Sequence, residues 1–148
     1  MRDYTKIEAW KLADDLAVAI YEHTRRFPRE EIYGLTSQVR RAAYSAAANI
    51  VEGSSRESKR DYLHFLYIAR GSLSETGYFV HLSHRLGFLD EPNASPLAQH
   101  ANRAMACLQG LIKAVEKEAG IGRKIGAAIT SIIVLSLARF ALSSDRGP

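Results

Sequence analysis

Four stretches of the sequence repeat apolar residues at intervals of three and four positions, the spacing that lines one face of an α-helix. The stretches cover about residues 6–26, 35–52, 58–86 and 96–119. Each predicts a helix of roughly 27 to 43 Å at 1.5 Å per residue, and only short segments separate them. Short connections make successive helices antiparallel neighbours. The sequence therefore predicts an all-α fold, an up-and-down antiparallel four-helix bundle.

Local signals predict where these helices begin and end. Thr5 and Ser58 are each followed three positions later by an acidic residue, which is the spacing of a capping box. Ser95 followed by Pro96 predicts the start of the fourth helix, with serine as the cap and proline at the first helical position. Glycine ends helices because it adopts the left-handed conformation without strain. The glycines expected to end helices are Gly53, Gly87 and Gly120.

The sequence beyond Gly120 differs from the four stripes, because residues 125–138 carry no charged side chain. A membrane span needs about 20 apolar residues, and this run reaches eighteen only by including Arg139. We therefore expect a bundle domain at residues 1–120 and an additional apolar C-terminal helix or tail at residues 121–148. Docking of the tail on the bundle, or its burial in an oligomer, is favoured over membrane contact and over disorder.

The charge balance is mildly basic: 20 lysine and arginine residues against 16 aspartate and glutamate residues give a formal net charge of +4. This surplus fits a nucleic acid or another anionic partner, but it is equally ordinary for a soluble domain. The single cysteine, Cys107, excludes an internal disulfide and a zinc site of several cysteines. Together with an N-terminus that lacks an apolar signal segment, it leads us to expect a cytoplasmic protein.

Motifs of catalytic and cofactor-binding proteins are missing from the sequence. It contains no nucleophile elbow, phosphate-binding loop, dinucleotide fingerprint or zinc-binding His-Glu-x-x-His. His81 and His84 are three residues apart and could share a metal, but the Glu-x-x-His motifs of di-iron bundles do not occur. We therefore expect no enzymatic activity, no cofactor, no metal and no small-molecule substrate.

Basic side chains are frequent in the second and third stretches, and many are arginine, whose planar guanidinium suits phosphate. Arg56, Lys59 and Arg60 cluster where the third helix is expected to start, and the amides of a helix N-terminus also favour an anion. Glu57 and Asp61 would neutralise part of this charge, so a solvated charged face is the alternative. The candidate nucleic-acid-binding residues are Arg40, Arg41, Arg56, Lys59, Arg60 and Arg70.

Asn49, Glu52 and Arg56 are spaced at i, i+3 and i+7, and they would share one face if helical geometry continues past Gly53. A carboxylate beside arginine predicts an ion pair that fixes helix register or a contact between subunits. Gly71 lies inside the third stretch, where glycine costs up to about 1 kcal/mol relative to alanine. Close contact at Gly71, within or between subunits, would offset this cost.

Three short strings belong together: Gly-Leu-x-x-Gln-x-Arg-Arg-Ala from Gly34, Asn-Ile-x-Glu-Gly from Asn49, and Ala-x-Gly-Ser-Leu-x-Glu from Ala69. Their order and spacing resemble the bacterial four-helix bundle family named after the 23S rRNA intervening sequence protein. The likeness extends from about Trp10 to Leu89. The family often has a proline shortly before the Asn-Ile string, and its absence here removes the helix kink that it would cause.

The resemblance implies an up-and-down bundle that assembles as a homopentamer and whose biochemical role is not established. A related bundle, the accessory protein of diversity-generating retroelements, is a basic pentameric barrel that binds nucleic acid. We therefore expect a non-enzymatic oligomer that binds RNA or DNA. The alternatives are a protein-interaction scaffold without nucleic-acid affinity and a membrane-associated bundle anchored by the tail. The expected motif and interface residues are Asn49, Glu52, Gly53, Gly71 and Glu75.

Overall fold

Four α-helices make up most of the chain that the structure, a computed structural model, describes, namely residues 2–120. They are α1 (Glu8–His23), α2 (Leu35–Ser55), α3 (Lys59–Arg85) and α4 (Glu91–Glu118). Residues 2–120 contain no β-strand. The predicted all-α fold, an up-and-down four-helix bundle, is therefore confirmed. The C-terminal helix or tail predicted for residues 121–148 lies outside the described residues, and the domain boundary stays a prediction.

The helices pack around one apolar core. α2 contacts both α1 and α3, and Cys107 of α4 lies close enough to Glu8 of α1 to feel its charge. The start of α4 lies near the end of α1, whereas Cys107, further along α4, lies near the start of α1. These two helices therefore run in opposite directions. Large side chains that are almost fully buried come from all four helices: Leu16, Ile20, Val39, Ile50, Tyr62, Leu66, Leu73, Val80 and Leu108.

The chain divides into two units after Lys113. The core described above lies in the first unit. The described part of the second unit, residues 114–120, contains the last residues of α4 and Gly120, whose φ is 69°. Gly120 thus follows the end of α4, as predicted. None of the helices within residues 2–120 combines the length and the hydropathy of a membrane span.

The end of α3 has the predicted glycine conformation. Gly87 has a φ of 75°, and its N–H donates to the carbonyl of His84 while the N–H of Phe88 donates to the carbonyl of Ser83. This pair of hydrogen bonds defines a Schellman motif. The start of α3 is also as predicted, because the Ser58 hydroxyl oxygen accepts from the Asp61 N–H at 3.0 Å.

The predicted end of the second helix and the predicted start of the fourth helix are wrong. α2 does not stop at Gly53 but continues to Ser55, and Gly53 has no positive φ because its role is close packing against α3. α4 begins at Glu91 rather than at Pro96, which lies inside the helix. The earlier start is explained by Asp90, whose carboxylate accepts from the Asn93 N–H at 3.2 Å and so caps the helix.

The capping box predicted at Thr5 does not form. Asp3 caps a short 3₁₀ turn at Tyr4–Lys6, because its carboxylate accepts from both the N–H and the hydroxyl of Thr5. These hydrogen bonds lower the pKa of Asp3, the Thr5 hydroxyl contributing most. α1 then begins after Ile7, which has no capping side chain. The Thr5 hydroxyl therefore donates to Asp3 and does not cap α1.

Candidate nucleic-acid interface

The turn between α2 and α3 brings basic residues to one end of the bundle. Only residues 56–58 separate the two helices, so Arg56, Lys59 and Arg60 lie at the same junction, and all three are exposed. The predicted cluster at the start of α3 is therefore present. We call this junction, together with Arg2, the α2–α3 corner.

Arg2 joins this corner although the sequence pattern contained no sign of it. Its backbone N–H donates to the carbonyl of Ser54 at 3.1 Å, and its Nη1 donates to the carbonyl of Arg56 at 3.0 Å. The guanidinium carbon lies 4.3 Å from the centroid of the Tyr62 ring. Because 54 positions separate Arg2 from Arg56, only the folded chain brings the two together.

Arg56 is held in place by two neighbours. Its guanidinium forms an ion pair with Glu52, and its carbon lies 4.8 Å from the centroid of the Phe65 ring. The ion pair was predicted from the helical spacing, and it forms because α2 continues past Gly53. Glu52 offsets part of the positive charge of Arg56. Together with the Phe65 ring, it also fixes the orientation of the Arg56 guanidinium.

The other three candidate basic residues lie away from the corner. Arg40 is about 24 Å from Arg56 along α2 at 1.5 Å per residue. Its Nε donates to the Thr24 hydroxyl at 2.8 Å. Arg41 donates to the Gln38 side chain at 3.3 Å. Arg70 is about 15 Å beyond Arg60 along α3. The six predicted residues therefore do not form one patch.

A small polar network connects α2 and α3. The hydroxyl oxygens of Ser45 and Ser72 are 3.0 Å apart. The Asn49 amide donates to the carbonyl and the hydroxyl oxygen of Ser45, at 2.8 and 3.1 Å. Asn49 thus bonds to the preceding helical turn, whereas Glu52 bonds to Arg56. These two predicted motif residues serve different contacts.

Beside this network lies a surface of exposed aromatic and aliphatic side chains, which we call the α2–α3 face. Tyr44 is 48% exposed, Ile68 39% and Tyr78 59%. Gly71 and Glu75 are exposed on the same side of α3. A Cβ atom at Gly71 would meet no atom within 4 Å, so the close contact predicted there is not made within the described chain. A contact between subunits stays a prediction.

Gly53 makes the close helix contact instead. A Cβ atom there would lie 2.9 Å from the Cβ of Phe65 and 3.3 Å from the carbonyl oxygen of Tyr62. Burial raises the pKa of the Tyr62 hydroxyl, and the positive charge of Arg2 opposes this effect in part. The α2–α3 corner therefore lies next to the closely packed residues Gly53, Tyr62 and Phe65.

The described residues contain no group of three or more His, Cys, Asp or Glu side chains that could hold a metal. Of His81 and His84, the pair that could share a metal, His84 is engaged by other residues. Its Nδ1 lies 3.0 Å from the carbonyl oxygen of Leu89, and its Nε2 lies 3.3 Å from the Glu91 carboxylate. Burial, reinforced by the charge of Glu8, raises the pKa of the Cys107 thiol, which disfavours the reactive thiolate.

Comparisons with known proteins agree with this architecture. A family model described as the 23S rRNA-intervening sequence protein matches residues 5–110. A crystal structure of a protein of unknown function from the S23 ribosomal protein family of Bacteroides thetaiotaomicron is similar, with a TM-score of 0.64 and 22% identity. The match covers 71% of this chain and 98% of that chain. At this identity the likeness concerns the fold alone. No curated protein matches the chain.

Proposed function

The chain belongs to the 23S rRNA-intervening sequence protein family, and from this premise we propose that it is a non-enzymatic, oligomeric bundle that binds RNA or DNA. The α2–α3 corner is the proposed contact surface. The observation that carries the proposal is the position of Arg2, whose hydrogen bonds to Ser54 and Arg56 add a third guanidinium to those of Arg56 and Arg60.

Phosphate groups are the natural ligands of such a corner. Guanidinium groups donate two parallel hydrogen bonds to phosphate oxygens. The first N–H groups of α3 lie at the same place, and the N-terminus of a helix carries partial positive charge. Arg60 forms no ion pair with another residue among 2–120, so its charge is available to a strand.

Glu52, Glu57 and Asp61 lie in the same region and keep the net charge of the corner small. One copy of the corner would therefore bind weakly and without regard to base sequence. Several copies in one assembly would raise the effective affinity, because the second and later contacts become intramolecular. Assembly into an oligomer would therefore strengthen the proposed binding of nucleic acid.

We propose that the chain assembles as a homopentamer through the α2–α3 face. The support is the exposure of Tyr44, Ile68 and Tyr78, since an apolar patch on a small domain commonly marks a protein contact. Gly71, with open space beside it, would let a neighbouring subunit approach closely. The cytoplasm is the proposed compartment, which suits an unpaired thiol at Cys107.

The decisive experiment is a salt titration of binding to a random RNA pool and to single- and double-stranded DNA, measured by fluorescence anisotropy. The affinity should fall steeply with salt, because binding releases counterions from the phosphates. Replacing Arg2, Arg56 and Arg60 by glutamine should lower the affinity and reduce the slope of log K against log salt by about two to three.

A matched control has the same loss of charge elsewhere. Arg25, Arg29 and Arg85 are exposed residues outside the corner, and their replacement by glutamine should leave most of the affinity. Equal losses in the two triple variants would show that net charge, and not the corner, attracts nucleic acid. The absence of saturable binding at low salt would refute the proposal and favour the alternative, a protein-interaction scaffold. A membrane anchor in residues 121–148 is tested separately, by cell fractionation with and without that segment.

A further inference from the structure

A cavity of about 290 Å³ opens between the end of α1 and the turn that joins α3 to α4. It lies at the end of the bundle opposite the α2–α3 corner, because α1 ends where α2 begins. Its walls come from two segments far apart in the sequence, residues 22–26 and 88–93. The residues that line it are Glu22, His23, Arg26, Phe88, Leu89, Asp90 and Asn93.

Two opposite charges line this cavity without neutralising each other. Glu22 and Arg26 are four residues apart, an order and spacing that favours an ion pair on a regular α-helix. α1 ends at His23, however, and the chain tightens into a 3₁₀ turn at Thr24–Arg26, which changes the angular offset between the two side chains. Neither forms an ion pair or a side-chain hydrogen bond with another of the residues 2–120. Both remain able to bind a ligand.

Asp90 adds a second carboxylate. Its Oδ1 accepts from the Asn93 N–H at 3.2 Å and from the Asn93 amide at 2.6 Å. Its Oδ2 has no hydrogen-bond partner among residues 2–120. The capping role therefore fixes the Asp90 side chain and leaves one oxygen able to accept a further hydrogen bond.

The remaining wall of the cavity is apolar, and its side chains are held in place by packing. The ring of Phe88 packs against the ring of Phe27, with centroids 5.6 Å apart, and Leu89 is buried. His23 is oriented by its Nδ1, which lies 2.8 Å from the carbonyl oxygen of Ala19. That carbonyl can only accept, so Nδ1 donates, and Nε2 is left to accept from a ligand in the neutral ring.

We propose that this cavity binds a small zwitterion, a free amino acid with an apolar side chain. The carboxylates of Glu22 and Asp90 accept from the α-ammonium group, and the guanidinium of Arg26 donates to the α-carboxylate. The apolar side chain packs against Phe88 and Leu89.

The charge of the lining favours this class over a nucleotide. Two carboxylates against one guanidinium leave the cavity negative when His23 is neutral, and the phosphate of a nucleotide would be repelled. A zwitterion places its positive group at the two carboxylates and its negative group at Arg26. Binding of a zwitterion in this cavity does not require the proposed binding of nucleic acid at the opposite end of the bundle.

The test uses the full-length chain and isothermal titration calorimetry with L-leucine and L-phenylalanine. N-acetyl-L-leucine lacks the ammonium charge and L-leucinamide lacks the carboxylate. We expect saturable binding of the amino acids and at least about tenfold weaker binding of both derivatives. Derivatives that bind as well as leucine, or no saturable binding up to about 10 mM amino acid, would overturn the proposal.

Single variants locate the site. Glu22→Gln and Arg26→Gln should each weaken leucine binding by about tenfold, because each removes a charge-assisted contact. Glu30→Gln and Arg29→Gln change the same charges on exposed residues outside the cavity and should leave the affinity unchanged. Since Glu22 and Arg26 hold no other residue in place, circular dichroism should show intact folding. Binding that survives both cavity substitutions would place the ligand elsewhere and refute the assignment.

Discussion

Gly53 of α2 lies so close to Phe65 of α3 that a methyl group at position 53 would come within 2.9 Å of the Cβ atom of Phe65. Carbon atoms in favourable contact are about 3.5–4.0 Å apart. The backbone carbonyl of Tyr62 would be 3.3 Å away, so the obstruction lies close to the main chain and cannot rotate aside. The absence of a side chain at Gly53 therefore sets the distance between the two helices beneath the corner.

We expect Gly53→Ala to lower the free energy of unfolding by about 1–3 kcal/mol, as inserted carbon atoms do in packed interiors. Urea denaturation measures the change. Gly110→Ala is the control, because Gly110 also lies inside a helix but has no atom near its would-be Cβ. That variant should gain up to about 1 kcal/mol from helix propensity. Equal effects at the two positions would contradict the close contact.

The oligomer proposal predicts that Gly71→Leu disrupts assembly without unfolding the subunit. Open space beside Gly71 within the chain accommodates the side chain, whereas a neighbouring subunit packed there does not. Light scattering should show a mass that falls toward one subunit, with circular dichroism unchanged. Gly110→Leu, a similar addition on α4, should keep the assembled mass. A normal oligomer of the Gly71 variant would exclude this surface as the interface.

Substitutions of Arg40 and Arg60 should have different effects: the first should lower the unfolding free energy, and the second should lower the RNA affinity. Arg40→Gln removes the hydrogen bond to Thr24 and the contact of the guanidinium with the Tyr21 ring, 4.8 Å from its centroid. We expect a loss of about 1 kcal/mol in unfolding free energy and unchanged RNA affinity.

Arg60→Gln should show the opposite result. Its stability should stay within about 0.5 kcal/mol of the parent, because Arg60 is exposed and substitutions of exposed side chains usually change stability little. Its RNA affinity should fall about fivefold in low salt. Anisotropy and urea denaturation on the same preparations provide both readouts. If Arg40→Gln weakened RNA binding more than Arg60→Gln, the contact surface would lie elsewhere on the bundle.

Tyr62 should make the protein less stable at high pH. Burial raises the pKa of its hydroxyl in the folded chain, while the unfolded chain keeps a value of about 10. The unfolded state therefore loses the proton first, and the free energy of unfolding falls as the pH rises through about 10 toward the folded-state value. Tyr62→Phe should reduce this fall between about pH 9 and 11.

The comparison for this prediction is Tyr33→Phe, since the Tyr33 side chain is 93% exposed. Its stability should follow the same pH dependence as the parent chain. Urea denaturation at a series of pH values measures all three proteins. Parallel curves for the parent and Tyr62→Phe would mean that the buried hydroxyl does not contribute to the alkaline loss of stability.

Local sequence signals predicted those parts of the fold that depend on neighbouring residues. The turn at Gly87 was predictable because a Schellman motif involves only a few consecutive residues. Gly53 was misassigned as a helix end because its small size serves Phe65, a residue of another helix. The start of α4 was misplaced because Ser95–Pro96 is a valid start signal, but Asp90 supplies an earlier cap.

The candidate sites were harder to predict from the sequence than the fold, because their residues come together only in the folded chain. Arg56, Lys59 and Arg60 could be grouped from their spacing, whereas Arg2 joins them only through hydrogen bonds across 54 positions. The cavity could not be anticipated, because no short motif connects Glu22 with Asp90.

The short connection between α2 and α3 also affects the order of events during folding. Only three residues, 56–58, have to close this loop, whereas eleven residues, 24–34, separate α1 from α2. Because short loops lose less chain entropy on closure and local contacts form fastest, α2 and α3 should form a hairpin early. Pulse-labelling hydrogen exchange should then protect their amides before those of α1. Arg56, Lys59 and Arg60 would then be brought together before Arg2 and the remaining helices dock.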